Sequence, residues 1–195
     1  MTYRDPSEMD DEEYEEYLRE EKTNDHVSAH NSVLEDWLTR QKEAFPAWAE
    51  QHKDRGPWDF TLDSLPCLEA LIRDAFPTND DARAHRDDPF VAVAAWCLGE
   101  VHNRTFGTQW QFHPSFADSN PYDHRPHVTL PWSRRDDFYR TDPEHIEDDA
   151  RPIYSPTDVL CRLPNTPQEQ GLLWRIDEKW EPGTCDDEYC RYHSN

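Results

Sequence analysis

Glu100 stands near the end of the most apolar stretch of the chain, AAWCLGEVHNR, two residues before His102. An ionised carboxylate in such surroundings is costly unless it is paired. One reading makes Glu100 a general base with His102 at its side. The other makes it a structural carboxylate, satisfied by a basic side chain or backbone N–H groups, with Gly99 allowing close helix packing. The structural reading is favoured, because no nucleophile, metal set or phosphate loop accompanies the pair. A second group is His113, His124 and His127, whose last two members form H-x-x-H and can place two imidazoles on one metal. Asp118 and Asp123 lie nearby, and the plainer reading is a solvent-exposed loop stiffened by Pro126. A third group, Cys185, Cys190 and His193, reads C-x4-C-x2-H in a polar tail. Structural zinc takes four ligands, with cysteines usually spaced by two to four residues. No second cysteine pair exists, so neither metal nor other cofactor is expected.

The remaining enzyme signatures are missing. Five glycines supply no G-x-G-x-x-G, no G-x-x-x-x-G-K-[ST] and no G-x-S-x-G, and H-E-x-x-H is absent. Charge is the stronger signal. The 195 residues carry 42 acidic and 20 basic side chains, a formal net charge of -22. Such a field repels DNA, RNA and anionic lipid, and it attracts a basic partner. The acids cluster. Residues 1–25 hold eleven acids and three bases, and a second dense run spans 136–149, DDFYRTDPEHIEDD. Aromatic residues sit among these carboxylates and offer the anchors that interfaces favour. The expected contact set is Glu12, Glu13, Tyr14, Glu15, Glu16 and Tyr17 in the first run. In the second it is Asp136, Asp137, Phe138, Tyr139, Asp148 and Asp149.

Length and composition set the frame for these groups. One domain is the expectation at this length. Hydrophobic residues make up only 35% of the chain and mean hydropathy is -1.10, so part of it is expected to lie outside the core. Eight Trp, eight Tyr and eight Phe nonetheless argue for a folded body. No apolar run approaches the ~20 residues that span a bilayer. Met1 to Asp11 has neither a basic nor an apolar leader region, and the odd count of five cysteines fits reduced thiols. A cytoplasmic location is therefore expected. Cys67, Cys97 and Cys161 sit in apolar helical patterns and read as core packing.

Periodicity predicts the elements. Tyr14, Tyr17 and Leu18 suggest a short acidic amphipathic helix. Val27 to Trp48 reads as a longer helix, with Val27, Val33, Leu34, Trp37, Leu38 and Phe45 on one stripe and Pro46 ending or kinking it. A third starts at Asp63 or Ser64, has Pro66 in its first turn and closes before Pro77. Residues 78–89 read as a charged connector. The central helix takes Asp88 as N-cap, Pro89 as first residue and Gly107 as its stop. Alternation around 108–113 and 127–132 predicts paired strands. Short helices are predicted over Thr157 to Leu163 and Pro167 to Glu181. The fold expected is α+β: a helix-rich single domain with a small antiparallel strand pair. It spans 26–182, behind an acidic N-terminal extension (1–25) and ahead of a polar tail (183–195).

The segments DSLPCLEALIRDAFP and AAWCLGEVHNRTFGTQW together resemble small uncharacterised actinobacterial proteins, in which an L-G-E helix followed by G-x-x-W forms the core. The resemblance covers roughly 58–113 and implies no particular activity. Proteins of this size and acidity include immunity proteins of toxins. The expected function is thus an acidic cytosolic binding protein that occludes or sequesters a basic protein, such as a nuclease, a toxin or another nucleic-acid-binding protein. Alternatives are a metal-dependent or hydrolase-like enzyme centred on Glu100 and the His113, His124, His127 group, and an assembly component docking through its acidic N-terminus.

Overall fold

Residues 9–112, 125–138 and 151–177 are described by the structure, a computed structural model. In chain order they form α1 (Asp11–Ala29), α2 (Ser32–Gln51), α3 (Leu65–Ala75), α4 (Asn79–Ala84), α5 (Pro89–Phe106), β1 (Gln109–Gln111), β2 (His127–Thr129), α6 (Pro156–Arg162) and α7 (Leu172–Asp177). Single 3-10 turns occur at Lys53–Arg55, Leu62–Ser64 and Gln168–Gln170, and a longer one at Trp132–Phe138. The class is α+β, helix-rich, with β1 and β2 paired antiparallel so that Trp110 faces Val128.

α5 is the centre. Its residues from Val93 through Gly99 are all buried, as are Val91, Val101 and His102. Its ends are set by local chemistry. Pro89 occupies the first turn, where its missing N–H costs nothing. Gly107 ends the helix at φ 69°, a left-handed conformation that L side chains rarely adopt. Asp88 holds the N-cap position without a side-chain cap bond, and its carboxylate instead meets His85 Nδ1 at 2.8 Å. α2, α6 and the strand pair pack around α5, and α3 packs against α7. No helix among the described residues is long and apolar enough to cross a membrane.

Three local expectations need correction. The helix predicted over Val27 to Trp48 is two helices. Asn31 breaks it: Asn31 Oδ1 accepts the Leu34 N–H at 3.0 Å as the cap of α2, and Asn31 Nδ2 donates to the Phe112 carbonyl at 2.8 Å. Val27 and Val33 flank this break and are 41% and 52% exposed, so they leave the apolar stripe. Secondly, Pro46 does not end α2, which continues to Gln51. A mid-helix proline costs about 3 kcal/mol. Here the turn it sits in carries Phe45 and Trp48 into an aromatic cluster with Phe60, Trp58, Trp96 and Phe90, whose burial offsets that cost. Thirdly, the connector 78–89 contains α4, capped by Thr78 Oγ1 accepting the Asp81 N–H at 3.2 Å. Of the three cysteines read as core, Cys97 and Cys161 are buried, while Cys67 is only partly so.

α1 is longer than its apolar pattern suggests and runs through position 25, where composition alone drew the end of the extension. Its C-terminal half is fastened to the strand pair. Ser28 carbonyl accepts the Phe112 N–H at 2.9 Å. Asp25 Oδ1 pairs with Arg151 Nη2 at 2.7 Å and also accepts from Gln111 Nε2 at 2.7 Å.

Candidate functional site

The surroundings of Glu100 are built by the turn at Gly107. That turn sends β1 back along α5 and lays the Trp110 indole over Gly99, where any Cβ would collide with the ring. Glu100 Oε1 accepts the indole N–H at 2.9 Å. The Asn103 amide shares the same small network. With its nitrogen toward Thr108 Oγ1 at 2.7 Å, its oxygen is placed to accept from Trp110 Nε1 at 3.2 Å. The L-G-E and G-x-x-W residues are thus one packing unit: glycine makes the notch, tryptophan fills it, and the carboxylate satisfies the buried indole donor.

His102 does not join Glu100. Two residues apart on a helix, their side chains diverge by roughly 200°. The His102 ring is fully buried, with Nδ1 3.1 Å from Thr108 Oγ1 and its face stacked on Tyr154 at 4.6 Å. Burial pushes its pKa down to about 3, so it stays neutral at pH 7 and is a poor proton acceptor. The neighbouring Tyr154 hydroxyl is pushed up by the same cause. The Cys97 thiol, raised to about 12 by burial and then by the Glu100 charge, is inert as a nucleophile. The arrangement around α5 can hold a core together. Among the described residues around α5, His102 is not a ready base and Cys97 is not an activated nucleophile.

His127 lies on β2 opposite Gln111, while His113 and His124 lie outside the described residues, as do Cys185, Cys190 and His193. No group of three or more His, Cys, Asp or Glu able to hold a metal ion occurs among the described residues. A recess of about 480 Å³ lies between α3 and the 168–174 segment, with Glu69 and Arg73 in its wall. Both are already engaged. Glu69 Oε1 pairs with Arg73 Nη2 at 2.8 Å, Glu69 Oε2 accepts the Leu172 N–H at 2.8 Å, and Arg73 Nη1 donates to the Thr166 carbonyl at 2.8 Å. This pair staples the 164–172 segment onto α3.

The first acidic run is helical and ordered by its own residues. Asp10 Oδ1 accepts the Glu12 and Glu13 N–H groups at 3.1 and 3.0 Å, and Glu13 Oε2 reaches back to the Asp10 N–H at 3.4 Å. This capping box engages one carboxylate oxygen of Glu13, which is partly buried. Tyr14 and Tyr17 stack at 6.3 Å and are partly buried. Glu12, Glu15 and Glu16 are exposed, and so are Asp11 and Glu20, which sequence reasoning did not select. The signal for Glu20 was its i+4 spacing from Glu16, one turn further along the same face. Of the second run, Asp136, Asp137 and Phe138 fall in the turn at Trp132–Phe138, but their side chains lie outside the described residues. Tyr139, Asp148 and Asp149 lie outside them altogether. No family model, no curated protein and no solved structure matches this chain.

Proposed function

We propose that this chain is an acidic cytosolic binding protein whose α1 docks onto a basic protein and occludes the surface that partner uses for nucleic acid. The observation that carries the reading is the ridge of Glu12, Glu16 and Glu20, flanked by Asp11 and Glu15, all exposed on one helix. Residues four apart sit about 6 Å from each other. The ridge therefore lays a file of negative charges along about 12 Å of a rod. Such like-charge neighbours cost the helix stability, by about 0.2–0.5 kcal/mol per pair. The capping box and the buried Asp25 pair offset this cost at the two ends of α1. A helix held in place despite self-repulsion presents its carboxylates without an ordering penalty on binding. The run containing Asp136, Asp137, Asp148 and Asp149 continues the same charge in sequence. A nuclease, a toxin or another nucleic-acid-binding protein has the matching chemistry.

The test is salt-dependent association of the full chain with purified basic nucleic-acid-binding proteins, including any encoded beside it. Binding that weakens as salt rises, and that is lost when Glu12, Glu15, Glu16 and Glu20 are changed to Gln, supports the reading. Absence of binding to every such protein at low salt overturns it.

A further inference from the structure

Of the ten histidines, His26 and His30 alone stand four residues apart. That spacing puts both on one face of α1, at its C-terminal end. Both are exposed, and their ring centroids lie 4.7 Å apart with the planes inclined at 52°. Among the described residues neither imidazole is in a hydrogen bond or an ion pair, and the one ring contact each makes is with the other. The backbone beneath them is fixed. The His30 N–H donates to the His26 carbonyl at 3.0 Å, which ties the two residues together. Around them Asp25 pairs with Arg151, the Ser28 carbonyl accepts the Phe112 N–H, and Asn31 Nδ2 donates to the Phe112 carbonyl. Only side-chain torsions are left to be set when a ligand arrives.

We infer that His26 and His30 form a two-imidazole chelate for a divalent transition ion of the zinc and copper class, with water filling the remaining positions. A zinc–imidazole bond is about 2.0–2.1 Å long, so two ligating nitrogens on one ion stand about 3 Å apart. Rings with centroids 4.7 Å apart reach that separation by rotation about their side-chain bonds, with the helix unmoved. Imidazole suits such ions, whereas calcium and magnesium take oxygen donors. The field favours a cation: the C-terminal end of a helix carries partial negative charge, and the chain's formal net charge is -22. Lys22, one turn before His26, opposes this locally, but it is exposed and its charge is screened by salt. Two protein ligands fall short of the four that close a structural zinc site. The ion is therefore exchangeable, and its binding stabilises the end of α1 that is seated against the strand pair.

The experiment titrates the full, reduced chain with zinc chloride and follows the imidazole signals of His26 and His30 by NMR. Saturable shifts of both rings, with one common affinity, are expected. Magnesium at the same concentrations, which senses the acidic field alone, leaves the two signals in place. His26→Gln and His30→Gln each reduce the chelate to a single imidazole, and the remaining ring binds zinc about tenfold or more weakly. His85→Gln, which removes a ring engaged by Asp88 on other elements, leaves the affinity at His26 and His30 unchanged. Both chelating residues are exposed, so unchanged circular dichroism is expected of their variants. Signals that do not saturate at millimolar zinc, or an affinity at either ring that is unaffected by loss of the other, overturn the assignment.

Discussion

Asp25 and Arg151 meet at 2.7 Å with 8% and 5% of their side chains exposed, and this ion pair joins the acidic helix to the rest of the fold. Arg151 Nη1 also donates to the Leu130 carbonyl at 2.7 Å, and Asp25 Oδ1 takes a second bond from Gln111. Both charges are therefore hydrogen-bonded as well as paired. Removing one partner strands the other in a buried place. Asp25→Ala is expected to cost about 3–5 kcal/mol, and Arg151→Met a similar amount. The double replacement, Asp25→Ala with Arg151→Met, is expected to cost much less than the sum. Urea denaturation of the four proteins checks this, and additive losses would show that the pair does not act as a unit.

Gly99 is the second point where one atom decides. Alanine there would gain up to about 1 kcal/mol of helix propensity. It also drives a Cβ into the Trp110 ring, and overpacking a close-packed core costs about 1–3 kcal/mol. Overpacking wins, so Gly99→Ala is expected to lower stability and alter the near-ultraviolet dichroism of Trp110. Trp110→Leu in the Gly99→Ala background relieves the clash. If Gly99→Ala proves as stable as the parent, the notch has been misread.

His102 makes stability depend on pH in a defined direction. Its folded pKa, about 3, lies below the ordinary 6.5 because burial disfavours the charged form. Between those values the unfolded chain binds the proton and the folded one does not, so stability rises with pH there. The contribution is complete above pH 6.5 and is lost progressively as pH falls toward 3. The slope attributable to this ring is about 1.4 kcal/mol per pH unit once well below 6.5. His102→Asn keeps an acceptor and donor near Thr108 but does not titrate. Its denaturation free energy between pH 4 and 6 is expected to fall less steeply with acid than the parent's by about that slope. Parallel profiles would refute the assignment.

How much of this was visible in the residues depends on how local each cause is. α5 was legible because Asp88, Pro89 and Gly107 mark its ends within a few positions, and Phe90 to Leu98 between them is apolar nearly all round. The break at Asn31 was not, because its side chain works at both ends: it caps α2 and also holds the Phe112 carbonyl, a contact that exists only after folding. Pro46 misled for the opposite reason, since an aromatic cluster drawn from two other segments, the 58–60 loop and α5, outweighs its local penalty. The Glu100 environment was read correctly in kind, as a satisfied carboxylate beside a packing glycine, but its partner is the indole of Trp110, not a basic side chain or a backbone N–H group. The Asp25 and Arg151 pair had no sequence signal, because no spacing rule connects residues so far apart.

The acidic ridge on α1 carries a prediction in which stability and binding move in opposite directions. Glu16 has Glu12 one turn before it and Glu20 one turn after, all exposed, and it lies beyond the first turn, where the helix dipole would favour a negative charge. Glu16→Lys turns two repulsive i,i+4 relationships into attractive ones. Each reversal is worth about 0.4–1 kcal/mol at low salt, before screening. The variant is therefore expected to melt at a higher temperature than the parent in low salt, with the difference shrinking as salt is added. Its affinity for a basic partner is expected to fall, since one site in the file of carboxylates now repels. Thermal melts and association constants measured over the same salt series check both halves. A ridge kept for function should resist being stabilised without loss. If Glu16→Lys raises the melting temperature and leaves every basic partner bound as tightly as before, the ridge is merely a solvated face, and the docking surface must be sought elsewhere on the molecule.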